Sequence, residues 1–264
     1  MFEFAFMQRA LVAAVLVGVV CGVLGFFVIL RKLSFIGVGI SHSALGGVAV
    51  GLLLGIHPLL AGGFFAIAVA LGIAWLGPRT RLSEDAIIGV FFSASMALGV
   101  VLFSLQRGYQ QDLFAYLFGN VLAISSGELY TLGAVGVVIV ATLALVFRQL
   151  LFVSFDEEIA RAYGHRVDGL NALLLILVAL TVVIGVRLVG VLLIQALLVI
   201  PAAAAALWTS HYRDQLLLST LFGAGCGVCG LALSYQLDIA AGGTIVLVAT
   251  GVFAISALLG RGRA

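Results

Sequence analysis

The sequence predicts an all-α, polytopic membrane protein, and three observations carry that prediction. Charge is scarce: of 264 residues, 64% are hydrophobic and 9% charged, with a mean hydropathy of +1.30. A soluble domain carries about 25% charged residues, so 13 basic and 11 acidic side chains cannot cover a soluble surface. This excludes a cytosolic or secreted enzyme, and the same apolarity excludes disorder. Next, the apolar runs last about 20 residues, the length a helix needs to cross the hydrocarbon core. Finally, these runs do not alternate in polarity as the roughly ten-residue strands of a membrane barrel do. Ala, Leu, Val and 33 Gly dominate them, which suits close helix contacts. Lipid admits only helices and closed barrels, and the pattern selects helices.

Nine stretches are long and apolar enough to span, and polar punctuation separates them. Residues 10–30 and 35–54 are divided by Arg31 and Lys32, and 59–76 and 86–105 by Arg79 and Arg81. The spans 128–147 and 169–186 flank the polar connection from Arg148 to Asp168. Arg213 separates 188–208 from 216–235, and 244–259 precedes Arg261 and Arg263. With the N-terminus outside, Arg31, Lys32, Arg79, Arg81, Arg148, Arg161, Arg166, Arg213, Arg261 and Arg263 all fall inside, and only Arg9, Arg107 and Arg187 fall outside. The excess of cytoplasmic Lys and Arg in membrane proteins therefore puts the C-terminus inside.

The count is about nine transmembrane helices, with eight or ten as the alternatives. Residues 113–124, too short to cross, read as a re-entrant or interfacial helix held by Tyr116. The first apolar run is too long for a signal-peptide core, and Glu3 spoils a basic leader. One membrane domain over residues 1–264 accounts for the length.

The polar residues exclude several activities. Lys32 is the single lysine and lies next to Arg31 and Leu33, so no phosphate-binding G-x-x-x-x-G-K-[ST] loop exists. H-E-x-x-H is absent, and the spans lack converging acids, bases or nucleophiles. The chain reads as a transport subunit and not an enzyme, with any ATP hydrolysis on another chain. No nucleic-acid partner is expected.

His42 is the one ionisable residue well inside a span, among Gly37, Gly39, Gly46 and Gly47. An intramembrane imidazole either bonds a neighbouring helix or serves a pathway, and it is the commonest ligand for divalent transition metals. On the fourth span, Ser93, Ser95 and Met96 offer weak oxygen and sulfur donors, although Ser is also common at helix contacts. Gln195 reads as interhelical glue. Cys226 and Cys229 form C-x-x-C in a run of small residues where Gly223 and Gly227 make G-x-x-x-G. With no further Cys or His nearby, packing is favoured over a metal site, and Cys21 reads the same way.

The connection from Arg148 to Asp168 carries the most unusual polar segment, 155–164. Asp156 can cap a short helix, Glu157 and Glu158 sit in its first turn, Arg161 lies near its end and Gly164 can close it. Ile159, Ala160 and Tyr163 leave an apolar stripe. A helix lying on lipid headgroups would be rich in Lys and Arg; this one is acidic, which points to a cytosolic protein partner.

Together these residues resemble the permease subunit of bacterial ABC importers for divalent transition metals, the zinc, manganese and sometimes iron class. The likeness runs over nearly the whole chain. It is carried by Arg31-Lys32-Leu33-Ser34-Phe35-Ile36-Gly37 leading to Ser41-His42, and by Tyr116-Leu117-Phe118-Gly119-Asn120 with Leu122-Ala123. Segment 155–164 follows, then Gly190-Val191-Leu192-Leu193 through Leu198-Val199-Ile200-Pro201-Ala202-Ala203, and Asp238 with Gly242-Gly243-Thr244.

The resemblance implies a type II-like importer fold in a bacterial plasma membrane. It implies a homodimer of permeases surrounded by lipid, two cytosolic ATP-binding subunits and an extracytoplasmic metal-binding protein. The divalent ion is then substrate, with no tightly bound cofactor. His42 falls where the family places a histidine that contacts the metal in transit, with Ser41, Ser93 and Met96 as neighbours. Phe155, Asp156, Glu157, Glu158, Ile159, Ala160, Arg161 and Gly164 would couple to the ATPase. Where the family usually has Asp one turn before that His, this chain has Val38, and zinc members often carry His where Ser93 stands here. Two alternatives remain: a metal-chelate importer permease of the siderophore or cobalamin type, usually longer and with about ten spans, and an autonomous secondary transporter. The latter would show intramembrane acids, whereas Glu128 and Asp238 lie near span ends.

Overall fold

The structure is a computed structural model that describes residues 5–105 and 124–260. The segment 113–123 with Tyr116, and Arg107, Arg261 and Arg263, lie outside the described residues. All nine apolar stretches form helix: α1 (Ala5–Leu30), α2 (Ile36–Leu54), α3 (Pro58–Leu76), α4 (Glu84–Leu105), α5 (Ser126–Phe155), α7 (Val167–Val189), α8 (Val191–Ala206), α9 (Tyr212–Leu237) and α10 (Ala241–Leu259). The short α6 (Glu157–Ala162) follows α5, and no strand occurs among the described residues.

Eight of these helices are long and apolar enough to cross a membrane, and α8, at 16 residues, is not among them. At 1.5 Å per residue α8 reaches about 24 Å, against a hydrocarbon thickness of about 30 Å. The expected span 188–208 is shortened at its start by Gly190, which has φ 88° and ψ 159°. That backbone region is essentially closed to side-chain-bearing residues. Gly190 thus ends α7, and α8 begins one residue later without an intervening loop. The described chain therefore supports the eight-span alternative by length, with α8 as a further short apolar helix. Conversely, α5 runs 30 residues, eight beyond the predicted boundary at 147, and carries exposed Arg148 and Gln149 toward α6.

Two compact units are present. The first comprises Met1–Ile29, Phe114–Ala144 and Ile184–Ala264. Within it α1 and α9 run antiparallel in close contact: Gly18 meets Gly223, Gly22 meets Ser219, and Ala14 meets Gly227. The Ser219 hydroxyl donates to the Gly22 carbonyl at 2.7 Å. The second unit comprises Leu30–Leu113 and Leu145–Val183. Within it α2 lies against α3 through Gly47 and Phe65, and against α4 through Gly39 and Ile88 and through Gly46 and Ser95. The α2–α4 pairs advance together along both helices, so the two run parallel, as spans two apart must. Every candidate metal-transit and coupling residue belongs to this second unit.

Candidate functional site

His42 is the seventh residue of α2, at the end of its second turn, and is half-buried. Its Nδ1 donates to the Val38 carbonyl at 3.0 Å, and the Ser41 hydroxyl stands 3.4 Å from the same nitrogen. Ser41 itself is buried and donates to the Val38 carbonyl at 3.1 Å. A backbone acceptor on Nδ1 fixes the tautomer that leaves the lone pair on Nε2, the arrangement of a metal-binding imidazole. Nε2 makes no hydrogen bond with any described residue. Val38 therefore orients the ring through its main chain, while its side chain supplies no second ligand.

Across from α2, the ring of Phe92 meets the imidazole edge-on at 5.1 Å. Ser93 and Met96 are exposed on α4, and Ser95 is buried against α2. No hydrogen bond among the described residues joins His42 to Ser93 or Met96. Phe92 is the neighbour that sequence reasoning missed, because nothing local announces which α4 residue faces a position 50 residues earlier. No group of three or more His, Cys, Asp or Glu able to hold a metal occurs among the described residues. The cysteines fit packing: Cys226 is buried, Cys229 is exposed, and Gly223 and Gly227 on the same helix make the backbone approaches to α1.

The segment after α5 forms the short helix its residues predict. Asp156, in extended conformation, accepts the Ile159 N–H at 2.9 Å as N-cap, with Glu157 and Glu158 in the first turn. At the other end the Gly164 N–H donates to the Arg161 carbonyl and the His165 N–H to the Ala160 carbonyl, both at 3.1 Å. Gly164 has φ 82°, so the glycine closes the helix as a Schellman motif. Arg161 reaches Asp168 at 2.9 Å, and that hydrogen bond raises the guanidinium pKa further. Both side chains are more than half exposed, so the pair adds little stability.

One expectation needs correction. Ala160 is fully buried and cannot belong to an exposed stripe, because it points back into the unit. Exposure falls on Phe155 (66%), Ile159 (48%) and Tyr163 (78%), with Tyr163 edge-on to Phe152 at 5.9 Å. Removing the cap should loosen this surface selectively. Asp156→Ala is expected to cost about 1 kcal/mol locally, read as a severalfold faster hydrogen exchange at the Ile159 amide, with Asp156→Asn restoring protection.

The other residue missed from the sequence as a site residue is Arg31, read there for span boundaries, orientation and the family resemblance. Its side chain is 6% exposed and donates to the Glu157 carboxylate and, at 2.6 Å, to the Asn171 carbonyl oxygen. The Asn171 amide in turn donates to Glu157 at 3.0 Å. Arg31 thus meets two residues more than a hundred positions further along the chain in a closed polar network at the foot of α2.

Comparison with known proteins extends these observations. Residues 3–260 match the ABC 3 transport family. The manganese transport system membrane protein MntC of Listeria monocytogenes is 39% identical, covering 97% of this chain and 91% of that protein. The manganese import system permease protein ScaB of Streptococcus gordonii is 38% identical over 96% of this chain and 91% of that protein. The structure of PsaBC from Streptococcus pneumoniae in complex with Fab superposes with a TM-score of 0.83 at 38% identity, covering 96% of this chain and 91% of that one. Eight membrane-length apolar helices and relatives that are membrane subunits of transport systems make the chain a multi-pass permease of a bacterial plasma membrane and not an enzyme. A family match that begins at residue 3 and ends at residue 260 spans nearly the whole chain, and the chain belongs to the ABC 3 transport family.

Proposed function

We propose that this permease forms the pathway of an ATP-driven importer of divalent transition metal ions, with manganese as the first cargo to test and zinc and iron as the others. The observation that carries the cargo is the near-full-length similarity to permeases named for manganese. The geometry of His42 supports the same reading, with Nδ1 held by the Val38 carbonyl and a lone pair left on Nε2 that can take a metal ion. A single imidazole with hydroxyl neighbours is a weak site, which suits a pathway that must release its ion.

The ion is substrate, and no resident cofactor is needed. Two copies of the chain would form the pathway, with two ATP-binding subunits on the cytosolic side and an extracytoplasmic metal-binding protein delivering the ion. In this reading α6 and its flanks, with exposed Phe155, Ile159 and Tyr163 beside Glu158, are the contact with the ATPase. The N-terminus then lies outside and α6 inside.

The test is radioactive manganese uptake by liposomes holding the permease, its ATP-binding subunit and its binding protein. ATP-dependent uptake is expected, with zinc and iron measured as competitors. Failure of all three metals to enter would overturn the metal reading, and metal entry without any ATP-binding subunit would revive the autonomous transporter.

A further inference from the structure

Arg31, Glu157 and Asn171 form a closed network of buried or half-buried polar side chains joining separate segments. Its placement is specific. Arg31 lies in the reversal between α1 and α2, next to Lys32, which takes the left-handed conformation with φ 59°. A side-chain-bearing residue there is strained and persists only where its surroundings hold it. Glu157 is the first residue of α6, and Asn171 lies in the second turn of α7. Five residues after Arg31, α2 begins, and it carries His42.

We propose that Arg31 is a positioning residue that ties α6 to the start of α2, so that a displacement of α6 reaches the helix holding His42. The proposal deepens the reading of α6 as the ATPase contact and rests on it. A guanidinium fork gripping a carboxylate and an amide at once resists both translation and twist, as a lysine could not. Glu157 suits the role because its side chain is 42% exposed while its carboxylate is engaged by Arg31. The network also borders a cavity of about 120 Å³, whose lining includes Glu84 at the start of α4. The fork therefore has room to shift, with a second carboxylate facing the same space. Helix α4 carries Phe92, which packs on His42. Both helices that frame the imidazole thus begin beside Arg31.

The experiment uses the complete complex with its ATP-binding subunit. Cys21 and Cys226 are buried and Cys229 is exposed, so Cys229→Ser leaves no accessible native thiol among the described residues. A fluorophore on Leu54→Cys, exposed at the far end of α2, then reports α2 movement on trapping with ATP and vanadate. In Arg31→Ala the nucleotide-driven signal is expected to fall at least fivefold, while the ATP-binding subunit still co-purifies and hydrolyses ATP within twofold of its usual rate. Glu157→Gln is expected to give the same loss, and the double variant no further loss, since both act through one link.

An undiminished α2 signal in Arg31→Ala would overturn the proposal. So would losses that multiply in the double variant, or a signal lost only in step with the bound ATP-binding subunit. Should Arg31→Ala fail to fold, Glu157→Gln alone decides, and a full signal there sinks the link. The reporter is read without metal, so a wrong cargo would show as failed uptake with the α2 response intact.

Discussion

Replacing His42 with alanine is expected to cut metal uptake by the assembled importer at least about tenfold, the scale on which metal sites respond even to losses beyond their direct ligands. ATP hydrolysis should stay within about twofold, because the residue is remote in sequence from α6 and belongs to no nucleotide site. Alanine alone would not separate chemistry from packing, since the imidazole also meets Phe92 edge-on at 5.1 Å, a contact worth about 0.5–1.5 kcal/mol. His42→Phe separates them. Phenylalanine keeps a ring against Phe92 but offers no nitrogen, so transport should remain lost while the folded yield returns toward that of the unaltered chain. Transport restored by phenylalanine would reduce His42 to a packing residue. The measurement is initial-rate manganese uptake, with the thermal unfolding midpoint followed in parallel.

How far such a site can be read from sequence depends on the range of the interactions that build it. The cap at Asp156, the acids at Glu157 and Glu158 and the closing Gly164 act within ten residues, and the structure forms the helix they describe. The stripe Ile159, Ala160 and Tyr163 also follows from spacing, but spacing says which residues share a face and not what covers it. Ala160 turned out to face inward. Helix lengths obey the same rule. The nine apolar runs were visible as hydropathy, whereas the shortening of α8 depends on the backbone angles of Gly190. Hydropathy carries no information about those angles. The Arg31–Glu157–Asn171 network and the Phe92 contact were beyond reach altogether, because each joins residues from distant parts of the chain. Arg31 could have been suspected on energetic grounds, since a cation next to an apolar run must be either solvated or paired.

Gly223→Leu is expected to prevent accumulation of folded permease, and the reason separates two readings of the same run of small residues. A Cβ built on Gly223 would stand far inside van der Waals contact distance of the Gly18 carbonyl oxygen, and one on Gly18 would strike the Gly223 carbonyl oxygen in the same way. Both obstacles are backbone, so neither can yield by rotating a side chain. The helices would have to separate, losing the Ser219 hydrogen bond to Gly22 and the contact of Gly227 with Ala14. Gly223→Ala alone should cost about 1–3 kcal/mol, the usual range for overpacking. Gly225, two residues along, has open space around it, so Gly225→Leu should change stability by no more than about 0.5 kcal/mol. If C-x-x-C were instead the stabilising element through a bound metal, the ranking would invert, and removal of both thiols would be the damaging change. Cys226→Ala with Cys229→Ala is expected to be mild, since one thiol is buried and its partner exposed. Fluorescence-detected chromatography of the four variants, heated in detergent, reads the order directly: a double cysteine variant less stable than Gly223→Ala would overturn the packing account.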